Sequence, residues 1–384
     1  MKIGITTWSF KDNPGTFLQV YGLYTYLEKK GHDVYIIQYV LKDKQDMIPR
    51  GIGYYISNMY GLTRKKILSH LESRRMQSYN TLYKCQLEER ARKCSDAWKY
   101  FHFTDICSYE NDFKKLNDDF DLFIVGSDQI WNPVMLNKRY FLDYVTNNKL
   151  KVSYATSTGT SHISTSAKHY FKEYLNSFSY LSVREESTQQ ALQTLTNIPV
   201  EHVLDPSMLL SKEDYKKIAV FPKDAGVEKG KYLLCYFMPR NKKQREQIHS
   251  FSKNHNLKVL IIGITSYTYI PDDGATLYIP YDPYEFVGLI YNAAAVFTSS
   301  FHCTIFSVLF NKDLYVFQQP PTTKAFDING RFIEQLKTYK MLHRYINWQK
   351  DITDDNMKAI DYDTVNVIFE KRLKISKDYL NQFV

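Results

Sequence analysis

Two doubly wound α/β domains facing each other across a cleft are predicted by three features of the 384-residue sequence. The chain is too long for one ordinary core and fits two domains of roughly 150 to 200 residues. It opens with KIGITTW, an amphipathic helix and VYIIQYV, a strand–helix–strand unit that builds a parallel sheet. A second series of strands and helices begins at KYLLCYFM (231–238), after a linker at 212–230 marked by Pro222, Gly226 and Gly230. The boundaries are therefore 1–211 and 212–384, the second beginning with the linker.

The elements follow in order. In the first helix Leu18, Tyr21, Gly22, Leu23, Tyr26 and Leu27 recur at helical spacing, and Lys29-Lys30-Gly31 supplies cations and then a terminating glycine. Residues 43–118 are polar and rich in Lys and Arg, and are read as a helical insertion whose charges are mostly solvated. Strands return at DLFIVGS (121–127), KVSYATS (151–157) and YLSVR (180–184), and HVLDPSMLL closes the first domain. The second domain continues with LKVLIIGI (257–264), the helix YEFVGLIYNA and the strand AAVFTSS, after which Ile305, Phe306, Leu309 and Phe310 mark another helix. A last helical stretch, roughly 352–384, is expected to pack back on the first domain.

Composition narrows the class of protein. A hydrophobic share of 44% with 24% charged residues belongs to a globular chain, and the net charge of +9 favours anionic ligands or an anionic membrane surface. No basic arm, zinc knuckle or RNP-type motif points to nucleic acid. The five cysteines lack CxxC spacing, so neither a disulfide framework nor a metal site is indicated, and no cofactor motif stands out. The opening lacks the form of a signal peptide and no run of 18 apolar residues exists, so the expected location is cytoplasmic.

Chemistry is expected beyond the C-terminal ends of the strands, where helix N-termini offer N–H groups. Asn13 and Gly15 follow the first strand; Ser127, Asp128, Gln129 and Asn132 follow the strand at 121; Thr156, Ser157, Thr158 and Gly159 follow that at 151. The strand at 180 ends in Arg184, followed by Glu185, and the strand at 295 ends in Ser299, Ser300 and His302. Together these describe a polar cleft. Structural roles compete at several positions: Ser299 or Ser300 as a helix cap, Asp205-Pro206 as a turn, Trp131 as core. Arg184 closes a buried strand and needs an anionic partner, either a ligand or one of Glu185, Glu186 and Asp205.

The stretches NPGTFLQVYGLYTYLEKKGHDV, FIVGSDQIWNP, YATSTG, SVREEST, VLDPSMLL and SSFHCTIFS, in this order, resemble the polysaccharide pyruvyltransferase family from residue 3 to about 345. The resemblance implies two Rossmann-like domains arranged as in GT-B glycosyltransferases. It also implies transfer of a pyruvyl group from phosphoenolpyruvate to sugar hydroxyls of a surface polysaccharide, such as a capsule or exopolysaccharide, or of its lipid-linked precursor at the inner membrane face. On that footing Arg184 is an anion clamp and His302 a phosphate ligand or proton donor, with Ser299 and Ser300 beside them. Asp128 is the candidate base for the acceptor hydroxyl; Asn13, Gly15, Ser127, Gln129 and Asn132 are acceptor or orienting contacts. The acceptor side is assigned to the first domain and the donor side to the second. Ser300 stands where the family often carries Arg, so either Arg331 or Lys324 supplies the missing cation or the donor differs from phosphoenolpyruvate; Cys303 is expected to be buried and inert. Two other readings are a nucleotide-sugar glycosyltransferase, with Glu285 near a ribose, and a glycan-binding relative without catalysis.

Overall fold

The computed structural model describes residues 1–9, 11–40, 77, 79–133, 135–146, 148–160, 163–236, 242–263, 274–319, 329–347 and 349–384. Strands β1 (Lys2–Thr6), β2 (Asp33–Ile36), β3 (Leu122–Val125) and β4 (Leu150–Ser153) form a parallel sheet in the order β2-β1-β3-β4. A parallel pair, β5 (Leu181–Val183) and β6 (Val200–His202), extends it through single bridges at Val152–Tyr180 and Thr156–Val183. The second sheet holds β7 (Tyr232–Tyr236), β8 (Lys258–Ile261), β9 (Thr276–Leu277), β10 (Ala295–Thr298), β11 (Asp313–Phe317) and β12 (Tyr345–Ile346). Its order is β12-β11-β10-β7-β8-β9, again parallel throughout. Both sheets are Rossmann-like, as expected from the order of the elements.

Each sheet reverses its strand order at one place. In the first the chain builds outward from β1 to β2, then returns to add β3 on the other side. In the second it builds outward from β7 to β8 and β9, then returns to add β10. Such reversals splay the connecting segments apart and leave a crevice at the C-terminal strand ends. Asn13, Gly15 and Ser127–Gln129 lie at the first reversal; Ser299, Ser300 and His302 lie at the second.

Helix Pro14–Lys29 is fixed at both ends. Proline opens it, the Asn13 side chain accepts from Gly15 N–H at 2.9 Å and Thr16 N–H at 3.3 Å, and Gly31 takes the left-handed φ of +84° after its last turn. Residues 14–27 of this helix are all buried. The reason is that one core runs between the sheets, from Ile5, Phe17 and Tyr24 to Tyr215, Phe286, Phe301 and Ile305, with separate outer cores behind each sheet. At Gly22 the helix passes so close to the turn Pro206–Met208 that a Cβ would collide with the Pro206 carbonyl.

The predicted insertion is only partly helical. Helices Lys84–Trp98 and Glu110–Asp119 flank an extended segment in which Phe103 and Cys107 bridge to Ile36 and Tyr39. Residues 43–76 and 78 lie outside the described residues. Not all of its charges face solvent: the Arg90 guanidinium lies 4.2 Å over the Tyr281 ring, and Lys93 pairs with Glu285 at 2.7 Å. The segment read as a linker begins with a capped helix, Lys212–Ile218, in which Ser211 and Asp214 form a capping box. The last helix, Tyr362–Leu380, lies on the first domain: the Tyr379 hydroxyl donates to Ser153 O at 2.8 Å, and Ser376 Oγ accepts from Leu204 N–H at 2.8 Å.

Candidate active site

Arg184, leaving β5, is the hub of the site and is only 6% exposed. Its Nε donates to Glu185 Oε1 at 3.0 Å, its Nη1 donates to Asp205 Oδ2 at 2.9 Å, and Asp128 Oδ1 stands 3.9 Å from Nη2. Of the three carboxylates weighed as its partners from sequence, Glu185 and Asp205 serve and Glu186 does not, while Asp128 joins as a third neighbour. Burial alone would lower the Arg184 pKa, but the three carboxylates outweigh it and raise it. The guanidinium also lies 4.2 Å over the Phe301 ring.

Asp205 carries more than a turn. Its Oδ1 accepts from Ser207 N–H at 2.9 Å and Ser207 Oγ–H at 2.7 Å, so it caps the turn that presses on Gly22. Its Oδ2 holds Arg184, lies 3.3 Å from Ser127 Oγ, and stands 3.8 Å from His302 Nε2. Burial pushes this carboxyl up, yet His302, Arg184 and the Ser207 hydrogen bonds prevail and hold it below the usual range. The signal for this role was present in LDPS, but the Asp-Pro pair accounts for a turn by itself. Its three partners come from sequence-distant segments, which local reading does not reveal.

His302 sits in the first turn of helix Phe301–Leu309, whose cap is Ser300: the Ser300 side chain accepts from Cys303 N–H at 3.5 Å. The ring is 9% exposed, and its Nε2 lacks a hydrogen-bond partner. Burial lowers its pKa; Asp205 and Asp128 oppose this and Arg184 and Arg331 add to it, leaving the imidazole neutral at neutral pH. Gly15 lies against the ring so closely that a Cβ there would overlap Nδ1. The first helix of one domain thus meets the catalytic candidate of the other.

Asp128 follows β3 in the left-handed region, at φ +70°, where an L side chain is strained. Its carboxylate accepts from Gln129 N–H at 2.9 Å, and its carbonyl accepts from Ser157 N–H at 3.0 Å, which ties β3 to the segment after β4. The Gln129 amide oxygen accepts from Asn132 Nδ2 at 3.1 Å. Ser127 Oγ donates to Ala155 O at 2.8 Å. The Ser299 carbonyl accepts from Gln319 Nε2 at 2.7 Å. Arg331, at the start of helix Gly330–Thr338, brings a second guanidinium to within 5.4 Å of the Phe301 ring centre.

Glu285 stands apart from this cluster. It closes a capping box with Asp282, accepts from Lys93 at 2.7 and 2.8 Å, and lies 3.3 Å from the Tyr278 hydroxyl. The D-P-Y-E spacing is a capping-box pattern and would have identified that role. Trp131 is fully buried and stacks on Phe141, and the buried Cys303 thiol is pushed up to about 12. Lys324 lies outside the described residues.

Two Rossmann-like domains thus bring a charged, buried cluster together beyond the C-terminal ends of their strands, where open α/β sheets bind ligands. The family model for polysaccharide pyruvyl transferase matches residues 13–320, so the chain belongs to that family and is a transferase. No curated relative matches the sequence. Among solved structures, the Methanocaldococcus jannaschii UDP-GlcNAc 2-epimerase in complex with UDP-GlcNAc and UDP is similar at 12% identity and a TM-score of 0.49, covering 99% of each chain. A putative UDP-N-acetylglucosamine 2-epimerase from Listeria monocytogenes is similar at 9% identity and TM-score 0.48, covering 100% of this chain and 97% of that one. A Streptomyces nogalater glycosyltransferase is similar at 7% identity and TM-score 0.43, covering 98% and 95%. Among the described residues no helix is long and apolar enough to cross a membrane.

Proposed function

We propose that this transferase moves a pyruvyl group from phosphoenolpyruvate to hydroxyls of a sugar in a surface polysaccharide or its lipid-linked precursor, forming a cyclic ketal. The observation that carries this reading is the convergence of Arg184, Arg331 and His302, each with an unpartnered buried nitrogen, around Phe301 and Asp205. The donor offers a carboxylate and a phosphate to such groups. In the reaction a proton goes to the donor's methylene carbon while one sugar oxygen bonds to C2. A second oxygen then replaces the phosphate, which leaves with the remaining hydroxyl proton. His302 is the candidate for delivering the proton to carbon, and Asp128 for accepting one from the acceptor.

Donor contacts in this scheme come from both domains, since Arg184 belongs to the first and His302 and Arg331 to the second. Asn13, Gly15, Ser127, Gln129 and Asn132 form the polar wall on the acceptor side, in the first domain, and Ser299 and Ser300 stand beside His302 in the second. Arg331 stands in for the cation that Ser300 does not provide. We place the reaction in the cytoplasm, at the inner membrane face when the acceptor is lipid-linked; the net charge of +9 favours that surface.

Incubation with phosphoenolpyruvate and candidate glycosides is expected to release phosphate and add a pyruvyl mass to a galactose- or mannosamine-type acceptor. No turnover with any such acceptor counts against the reading; turnover with a nucleotide sugar would favour glycosyl transfer. A second test addresses the domain contact at His302. Gly15→Ala places a methyl group against Nδ1 while keeping a helical backbone. Displacing the ring by about 1 Å is expected to reduce turnover on the order of 10²-fold with the fold retained, measured by phosphate release and circular dichroism. Wild-type turnover in this variant would remove His302 from the reaction.

A further inference from the structure

One cation of the basic insertion reaches the cleft without a counter-ion among the described residues. Arg90, on helix Lys84–Trp98, meets segments that follow the strands of both domains. Its guanidinium lies 4.2 Å over the ring of Tyr281, just before helix Pro283–Asn292, and its Nη2 donates to the carbonyl of Asp12, beyond β1, at 2.9 Å. Its Nε has no hydrogen-bond partner. Tyr236 at the end of β7, Cys94 and Tyr79 also face it, and none carries charge at neutral pH.

The carboxylates nearby are engaged elsewhere. On the same helix Arg92 pairs with Asp96 at 3.1 Å and Lys93 with Glu285 at 2.7 Å, whereas Arg90 has no such pair among the described residues. Asp282 accepts from Glu285 N–H at 2.8 Å, and Asp12 turns its carbonyl to the guanidinium. Taking a guanidinium partly out of water without a counter-ion costs free energy that stacking on one ring offsets only in part. The Tyr281 ring covers one face and leaves the edge, with its fork of N–H groups, for an oxyanion.

The donor does not supply that anion. Its candidate contacts gather around Phe301 and Asp205, whereas Arg90 lies against Tyr281 and the Asp12 carbonyl. Arg90 is still close to the reaction. Asp12 precedes Gly15 by three residues, at most about 11 Å of chain, and Gly15 touches the His302 ring. An acceptor reacting beside His302 therefore extends within reach of Arg90.

We propose that Arg90 binds an anionic group of the acceptor, a phosphate or carboxylate on the sugars beyond the reacting one, and so selects charged acceptors over neutral ones. The assignment rests on the pyruvyl-transfer reading, and makes the insertion part of the acceptor site.

The test compares galactose-terminated disaccharides as acceptors for the full-length protein: the methyl glycoside, the reducing-end diphosphate, and a form with a uronic acid at the reducing end. Wild type, Arg90→Lys and Arg90→Gln are assayed for phosphate release from phosphoenolpyruvate, and for acceptor binding by calorimetry without donor. Wild type is expected to favour an anionic acceptor. Arg90→Gln is expected to reduce the ratio of anionic to neutral kcat/KM on the order of 10- to 100-fold, through the acceptor KM, as for loss of a charged hydrogen bond. Arg90→Lys should fall between. A purely structural role would lower both acceptors together and leave the ratio unchanged, which overturns the proposal, as does equal use of all the disaccharides by wild type. Preference for the diphosphate makes a lipid-linked precursor the source of the anion; preference for the uronate makes it an acidic polysaccharide. Arg90-dependent binding of an anionic disaccharide, with no transfer from phosphoenolpyruvate, keeps the site and sinks the function. Transfer with a ratio independent of Arg90 does the reverse.

Discussion

Asp205→Ala is expected to destabilise the protein by about 3–5 kcal/mol, the range for removing one partner of a buried ion pair, and to abolish transfer. Asp205 is 2% exposed and is joined to four groups at once: Arg184, His302, Ser207 and Ser127. Its removal leaves Arg184 with Glu185 at 3.0 Å and Asp128 at 3.9 Å, and uncaps the turn Pro206–Met208, on which the first helix rests at Gly22. The pH dependence has a definite sign. The folded pKa of Asp205 lies below the ordinary 3.8, so its stabilisation is present above that value and is lost as the pH falls through the folded pKa. Urea unfolding at neutral pH should therefore separate wild type from Asp205→Ala, and the gap should narrow in strong acid. Equal midpoints and slopes at pH 7 would show that the hub does not depend on this carboxylate.

His302→Gln is expected to lower turnover 10²- to 10⁴-fold, the usual share of a general acid or base, with little change in stability. The resting imidazole is neutral because burial, Arg184 and Arg331 outweigh Asp205 and Asp128. The donor's carboxylate and phosphate offset the charge of those arginines, so the balance shifts toward protonation and the donor should bind together with a fraction of a proton near pH 7. Binding enthalpies measured in buffers of different ionisation enthalpy report that uptake directly. Wild type should show it and His302→Gln should not. Equal uptake in both proteins would assign the proton to another group.

Much of this arrangement is legible in the linear sequence because it depends on local rules. The first helix is bounded by Asn13-Pro14 and Gly31, both cap signals; the strand ends carry the small polar residues that the crevice displays. Ser300 as the cap of the histidine helix is legible for the same reason. Asp205 was hidden because its turn-forming role is local while its charge partners, Arg184 and His302, come from two other segments. Glu285 illustrates the opposite case: its capping box with Asp282 is local and legible in D-P-Y-E, whereas its pairing with Lys93 comes from a distant segment. The mixed character of the insertion also depends on tertiary pairing: its extended segment is held by bridges to Ile36 and Tyr39, which periodicity does not show. Strands such as β9 and β12, two residues each, leave too little pattern to read.

The apolar interior that runs from Phe17 and Tyr21 through Tyr215 and Tyr284 to Phe301 belongs to neither domain alone. Phe17 packs edge-on against both Trp98 and Tyr284, and Tyr21 lies tilted against both Tyr100 and Tyr215, so the helix that carries Gly15 to His302 is buried by both halves of the molecule. Hinge opening of the kind available to loosely joined domains would expose those rings to water at roughly 25 cal/mol per Å². The two halves therefore share one continuous core, and parting them would carry that cost over every ring at the seam.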